Sequence, residues 1–531
     1  MPTLNWIGKD AVVNHHQQVP FRLLKDVSDL ACGQPGNGNL IVQGDNLVAL
    51  KALLPYYAGQ VKCIYIDPPY NTGNVGWVYN DNVNSPVIRE WLGKTVGKEG
   101  ETLDRHDRWL CMMYPRLTLL RQFLREDGAI FISIDDYEYE SLKLVMNEIF
   151  GPANHVATFI WKRRTTPDSR NLNGVSGDHE YVICYQRAAG FRFRGQSKDL
   201  GKYKNPDNDP RGPWMSDNLT GLANAAERPN LHYDIVHPDT GERFHPHSSR
   251  GWIYGPDRME QLIRDKRILW SRKPGGRPRL KRYLSDMQSE TTGFSTVLNA
   301  PGNVEATKEL SELMGPKTFA FPKPSRLIAL LLDQAAGPDD LILDSFAGSG
   351  TTGHAVLSLN KQDGGNRRFI LVEMEAGVAR DVTTQRVRRV AEGYSNTKGD
   401  LVPGLGGAFR FCELGEPLVN DEGKIRDTVS FADLARHVYF SEMGEPLPRG
   451  RVRTSPFLGA CRGVGIYLLY NGILSDKSAN GGNVLTRAVL AQLPPFDGQK
   501  VIYCAGCLLG RDRLQAERII VRQTPYEIRV T

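Results

Sequence analysis

Two short segments, far apart in the chain, carry the residues best suited to chemistry. The first is Asp67-Pro68-Pro69-Tyr70, which follows the apolar run CIYI. An exocyclic amine on a purine ring is a poor nucleophile, because its lone pair is delocalised into the ring. A carboxylate on Asp67 and a carbonyl held by the rigid Pro68-Pro69 backbone can accept its two hydrogens and turn the lone pair toward an electrophilic methyl group. An aromatic ring at Tyr70 can then stack on a base drawn out of its helix. Where the methyl is already activated, proximity and alignment supply most of the catalysis. The plainer reading is a strand stop, since two prolines cannot continue a ladder and Asp-Pro favours a turn.

The second segment, DSFAGSGTTG from Asp344 to Gly353, contains Gly348, Gly350 and Gly353 in a GxGxxG pattern between a strand and a helix. Glycines there let the backbone approach a bound nucleoside, and Glu373, ending the next strand, stands where an acceptor for ribose hydroxyls is expected. Alone, this loop suits a nucleotide-dependent oxidoreductase as well as a methyl transferase. A phosphate-binding GxxxxGK[ST] loop is excluded, because Gly93-Lys94-Thr95 has Ile88 in place of its leading glycine. The single CxxC, Cys504 and Cys507, lacks two further ligands at similar spacing, so no metal site is expected. Cys32, Cys63, Cys111 and Cys184 are read as packing residues.

These residues need a frame. NLIVQGDN, VKCIYIDPPYNTG, GAIFISIDD and HVATFIWKRR read as strands ending in turn chemistry, and residues 46–57, 109–125 and 139–150 have helical apolar spacing. Alternation of this kind predicts a mainly parallel sheet covered on both faces. The rhythm is lost between about Lys162 and Thr307 and resumes with a helix at residues 325–335, the strand LILDSF, the glycine loop and the strand FILVEME. The sheet is therefore assembled from two separated pieces. After Cys412 come further strands, GIYLLY, KVIYCAG and IIVRQ, without a chemical motif.

The chain has 531 residues, with 66 Lys plus Arg against 60 Asp plus Glu. That length predicts two or three domains, and the excess of +6 is only a mild pointer to an anionic partner. Its distribution says more. A basic run extends from Arg264 to Arg282, containing Arg272, Lys273 and Arg277 and a single acid, Asp265, and Lys162-Arg163-Arg164 forms a second. Such runs are usually solvated faces, but Trp161, Trp270 and Tyr283 lie among these, as where phosphates and bases are both contacted. The first residues have neither the basic start nor the apolar core of a signal peptide, and no apolar run is long enough to span a membrane, so a reduced, cytoplasmic protein is expected.

Taken together, GDNLVALKALLPYYAGQVKCIYIDPPYNTG, IFISIDDYEYESLKLVMNEIFG, GDHEYVICYQ, FPKPSRLIALLLDQA and DSFAGSGTTGHAV resemble the amino-methylating DNA methyltransferases of the permuted class, in which the catalytic motif precedes the cofactor motif. The likeness covers most of residues 38 to 380 and is closest to modification subunits of type III restriction-modification systems. It implies an α/β, Rossmann-like S-adenosylmethionine-dependent fold, circularly permuted, with an inserted DNA-recognition domain and a small C-terminal α/β region. The implied domains are an N-terminal extension (1–30), a catalytic half (31–161), a target-recognition domain (162–307), a cofactor-binding half (308–412) and a C-terminal region (413–531) for dimerisation or partner contact. By resemblance, Asp67, Pro68, Pro69 and Tyr70 are catalytic, with Asp in first position as in adenine-directed members. Asp45, Lys323, Pro324, Asp344, Phe346, Gly348, Gly350, Thr351 and Glu373, with Asp67, would hold S-adenosyl-L-methionine. Trp161 stands near where such enzymes stack a second aromatic on the flipped base, a place an interfacial core tryptophan would fill equally well. Arg163, Arg164, Arg272, Lys273 and Arg277 would contact DNA. The implied partners are double-stranded DNA, a second copy of the chain and a helicase-nuclease restriction subunit. The chain is shorter than many type III modification subunits, which leaves a solitary or phage-type enzyme open, as is cytosine amino-group specificity.

Overall fold

A computed structural model describes residues 4–33, 38–71, 105–168, 174–271, 273, 276–420, 425–426, 428–447, 455–470, 478 and 481–524. Arg272 and the segment around Gly93 lie outside these residues. The centre of the larger unit is a ten-stranded sheet. In chain order its strands are β1 (Arg22–Asp26), β2 (Leu40–Gln43), β3 (Val61–Ile66), β4 (Leu124–Ile134), β5 (His155–Lys162), β6 (His179–Gln186), β7 (Val297–Leu298), β8 (Leu341–Asp344), β9 (Arg368–Glu373) and β10 (Arg410–Pro417). Their spatial order is β1-β10-β2-β9-β8-β3-β4-β6-β5-β7. The run from β10 to β4 is parallel, whereas β6 is antiparallel to both β4 and β5.

The central strands are apolar on both faces because helices cover both. Every residue of β8 is buried, as is all of β3 except Lys62. Helix α1 (Asn46–Tyr57) is buried nearly all round, since α2 (Arg105–Phe123) and α8 (Phe431–Met443) both pack on it. The remaining helices of this unit are α3 (Tyr139–Phe150), α4 (Asn303–Met314), α5 (Ser325–Ala335), α6 (Thr351–Asp363) and α7 (Thr384–Glu392).

From β8 the chain moves outward on one side to β9, and from β3 outward on the other to β4. Sequence-adjacent strands thus diverge between β8 and β3, which makes that seam the switch point where ligands bind at the carboxyl ends of strands. The α/β class and the permuted order, β3 and β4 preceding β8 and β9 in the chain, are as the sequence implied. Two strands were not legible. β1 and β10 extend the sheet beyond β2, placing part of the N-terminal extension in the main framework.

The second compact unit is Arg194–Phe294, narrower than the 162–307 expected from the loss of rhythm. Residues 179–186 form β6 and residues 303–314 form α4, so both ends of the irregular stretch belong to the larger unit. The inserted unit has its own small core of Leu219, Ile235, Phe244, Trp252, Met259, Leu262, Ile268 and Leu280. Its three-stranded sheet joins Ile268–Leu269, Arg279–Tyr283 and Trp214–Asn218. The region after β10 falls within the larger unit and also has a core of its own around Tyr467, Leu485, Ile502 and Cys504. Its four-stranded sheet, Phe457–Cys461, Val464–Leu468, Gln499–Cys504 and Ile519–Gln523, and helix α8 contribute Leu434, Val438, Leu458, Ile466 and Tyr503 to the same core as β3 and β8. Among the described residues no helix is long and apolar enough to cross a membrane.

Candidate active site

Parallel neighbours deliver their last residues side by side. β9 ends in Glu373, β8 in Asp344, and β3 leads directly into Asp67, so three carboxylates stand along one edge of the sheet about 5 Å apart per strand step. Each is handled differently. Glu373 accepts the backbone N–H of Gly348 at 2.8 Å and of Glu375 at 2.9 Å. Asp344 accepts from the Phe346 N–H at 2.9 Å and the Thr352 hydroxyl at 2.5 Å, yet burial pushes its carboxyl up to about 7. Asp67 accepts from Lys323 Nζ at 2.8 Å on each oxygen and from the Tyr70 hydroxyl at 2.8 Å. Burial raises its pKa, and the Lys323 ammonium opposes that rise.

The backbone around Asp67 is fixed from outside the motif. Trp109 Nε1 donates to the Pro69 carbonyl at 2.6 Å. Asn71, in the left-handed region at φ 60°, donates to the Arg105 carbonyl at 2.9 Å and to buried Glu138 at 2.5 Å. Asparagine tolerates that conformation better than most residues.

The glycine loop is equally braced. Gly350 caps α6 at φ 77°, and a Cβ there would lie 3.1 Å from the Thr383 carbonyl oxygen, so only glycine fits without strain. Thr383 donates its hydroxyl to the Gly348 carbonyl at 2.6 Å, and fully buried Arg386 holds the hydroxyls of Ser349 at 2.9 Å and Thr351 at 2.8 Å.

A single cavity joins the two motifs. Asp67, Pro69, Lys323, Asp344, Phe346, Gly348, Thr351 and Glu373, all expected from the sequence, line it together. Asn46, Tyr65, Met112, Arg116, Phe319, Phe321 and Met374 also line it and were not expected. This donor set suits a nucleoside carrying a cation: a strand-end carboxylate for vicinal hydroxyls, approachable loop backbone, aromatic and thioether walls, and two further carboxyl groups.

Three of the residues expected to hold the cofactor act from behind the wall. Gly350 and Pro324 set the starts of α6 and α5. Asp45, expected beside the cofactor adenine, caps α1 through the Val48 N–H at 3.1 Å and pairs with Arg116 at 3.0 Å, and its neighbour Asn46 faces the cavity instead.

Trp161, for which a stacking role and a core role were both open, is a buried residue whose ring centre lies 5.9 Å from Lys323 Nζ. Its side chain is fully buried, its Nε1 donates to the Pro301 carbonyl at 3.0 Å, and the alternation of β5 turns it inward between exposed Ile160 and Lys162. Arg163 reaches inward too, donating to Glu180 at 3.2 Å, whereas Arg164 pairs with Asp168 at 2.7 Å.

The basic run is also less free than its composition suggested. Lys281 pairs with Asp207 and Asp209, Arg267 with Asp286, and Arg282 with Asp217, while Tyr283 is buried beneath Arg211 and Arg267. Lys273 and Arg277 stand exposed on the loop before Arg279–Tyr283.

Glu180 was missed altogether. It lies in β6, opposite Trp161 of β5, and because β6 runs antiparallel its beginning reaches the edge where the parallel strands end. The available signal was an acid inside the apolar strand HEYVICY.

The family model N6_N4_Mtase, described as DNA methylase, matches residues 61–384. The chain is 34% identical over 398 residues to the type III restriction-modification enzyme StyLTI Mod subunit of Salmonella typhimurium, covering 72% of this chain and 60% of that protein. It is 31% identical to the EcoP15I Mod subunit of Escherichia coli, covering 75% and 67%, and 30% identical to the type II methyltransferase M.KpnI of Klebsiella pneumoniae, covering 71% and 92%. The chain thus spans only part of the type III relatives' length.

Proposed function

The chain belongs to the DNA methylase family, and on that footing we propose that it methylates the exocyclic amino group of adenine in double-stranded DNA, with S-adenosyl-L-methionine as donor. The observation that carries this reading is the Asp67 carboxylate standing in the same cavity as the glycine loop and Glu373. The cofactor supplies a methyl group activated on a sulfonium. Glu373 and the loop backbone from Phe346 to Gly348 would hold its nucleoside, and Asp67 and Asp344 would face its charge. With the Pro69 carbonyl held by Trp109, the Pro68 carbonyl and Asp67 receive the two amine hydrogens and orient the lone pair for in-line attack. The amine would give up a proton as it is methylated. Asp67, its carboxyl made more basic by burial, takes it. No covalent enzyme intermediate is required.

Lys273 and Arg277, with the rest of residues 194–294, would bind and read the DNA. As a modification subunit the chain would pair with itself and with a separate restriction subunit. A solitary enzyme is the second reading, favoured by its covering 92% of M.KpnI. Transfer of tritiated methyl groups to DNA, followed by chromatography of the nucleosides, tests the assignment. N6-methyladenine is expected. Asp67→Ala should abolish transfer while leaving DNA binding intact, and normal incorporation by that variant overturns the assignment. Full activity of the isolated chain favours the solitary reading, and a requirement for a second subunit favours the other.

A further inference from the structure

Both donors that cover Asp67 have one second acceptor in common. Lys323 Nζ lies 2.8 Å from each Asp67 oxygen and 3.4 Å from Glu180 Oε2. The Tyr70 hydroxyl lies 2.8 Å from Asp67 Oδ1 and 3.1 Å from the same Glu180 oxygen. Glu180 is buried at 4% side-chain exposure, and its other oxygen is held by Arg163 at 3.2 Å. Lys323 is confined as well, with its ammonium 4.7 Å from the Tyr70 ring centre and 5.9 Å from that of Trp161.

In this arrangement Asp67 accepts three hydrogen bonds from the described residues, two of them from an ammonium. Such a carboxylate is a weak acceptor for an incoming amine, because its lone pairs are already polarised. Moving the ammonium into full contact with Glu180 needs a shift of well under 1 Å, about the difference between 3.4 Å and an ordinary charged hydrogen bond. The hydroxyl needs only a rotation. No donor would be left unsatisfied, and Lys323 and Glu180 are both largely shielded from solvent, where an unmet donor would oppose the change.

We propose that Glu180 is a positioning residue that takes over Lys323 and the Tyr70 hydroxyl when the target amino group arrives, uncovering Asp67 for that amine. The proposal rests on the function given above. It explains why a second carboxylate is buried beside the first, and why Arg163 is turned inward to balance its charge. Among the described residues the groups facing Asp67 are then Lys323 and Tyr70 at hydrogen-bond distance, with Glu180, Tyr65 and Asp344 as further charge partners.

Glu180→Gln preserves shape and removes the charge. At saturating cofactor and DNA, kcat should fall roughly 10- to 100-fold, the loss of one hydrogen bond to a charged group, with both dissociation constants within about twofold of the parent. Glu180→Asp should recover part of the loss. In a Lys323→Met background the effect of Glu180→Gln should shrink, since the donor it serves has gone. A second readout needs neither DNA nor cofactor. In 13C-aspartate-labelled protein, with Asp67 assigned from its disappearance in Asp67→Asn, the Asp67 titration midpoint should move down in Glu180→Gln, because Lys323 then pairs with Asp67 alone. A parental kcat in Glu180→Gln, an unmoved Asp67 midpoint, or fully additive losses with Lys323→Met would each overturn the proposal. If the parent protein itself transfers no methyl group, the function assignment fails, and the titration still decides whether the two carboxylates share Lys323.

Discussion

The pair Asp45–Arg116 offers a way to separate two jobs of one side chain. Asp45 Oδ1 accepts the Val48 N–H at 3.1 Å as the cap of α1, and Oδ2 accepts Arg116 Nη2 at 3.0 Å. Arg116 is 1% exposed and keeps two other acceptors, the Met112 carbonyl at 2.7 Å and Asn46 Oδ1. Asp45→Ala removes cap and counter-charge together. Losing the cap costs about 1 kcal/mol. Stranding a buried guanidinium costs about 3–5 kcal/mol, and we take the lower end, about 3, because Arg116 retains two partners and Asp45 is partly exposed. The sum is about 4 kcal/mol. Asp45→Asn keeps the cap, since asparagine caps as well as aspartate, and leaves Arg116 a neutral acceptor, so its loss should be about 1–2 kcal/mol. Hydrogen exchange read on peptides covering residues 46–52 resolves the two. Protection should fall roughly 5- to 30-fold in Asp45→Asn and roughly 500-fold or more in Asp45→Ala. Equal exchange in the two variants would refute the division into cap and ion pair. Because Asn46 and Arg116, not Asp45, line the cavity, cofactor affinity in Asp45→Asn should change only a few-fold.

Asp344 predicts a pH dependence. Its carboxyl, raised to about 7 by burial, still holds a proton in the folded protein at pH values where the unfolded chain has lost it. Its contribution to stability therefore declines from about pH 4 to about pH 7 and is flat above. A cationic ligand favours the anion, so affinity for S-adenosyl-L-methionine should rise between pH 6 and 8, whereas the uncharged sulfur of S-adenosylhomocysteine should give a flatter profile; identical calorimetric profiles would exclude Asp344 as the charge partner. Gly350→Ala forces a Cβ into the left-handed region, 3.1 Å from the Thr383 oxygen. It should destabilise by about 1–3 kcal/mol and weaken cofactor binding, and a parental melting temperature with parental affinity would show that the loop relaxes freely.

The sequence disclosed the strand-loop-helix units at Asp67 and Gly348 because there local pattern and chemistry coincide: apolar runs make the strands, and prolines and glycines end them. It did not disclose what depends on pairing between distant segments. β1 is a half-exposed five-residue strand whose only signal is its partner β10. Glu180 and Arg163 are ordinary charged residues until antiparallel register brings them to the edge reached by the parallel strands. The basic run misled in the opposite way, since composition counts charges and not the aspartates, Asp207, Asp209 and Asp217, that fold against them. Trp161 was undecidable from sequence, because the same spacing serves a stacking platform and a core residue, and its buried face follows from β5 lying between β6 and β7.

Three carboxyl groups at adjacent strand ends would repel one another if all were ionised and unpartnered. The partners chosen for each separate binding from chemistry. Glu373 is held by two backbone N–H groups, which cannot leave without unfolding the loop. Asp344 is held by one backbone N–H and by Thr352 from the first turn of α6, and burial leaves it about half ionised near pH 7. Both are therefore fixed acceptors of nearly constant geometry, suited to gripping a ligand. Among the described residues, Asp67 is the one of the three held by side chains only, Lys323 and Tyr70, whose bonds can be exchanged without moving the backbone. The carboxylate that must meet a mobile substrate is thus the one whose partners are mobile. Glu180, which shares both of those partners, is the residue that keeps this exchange from leaving a buried charge alone.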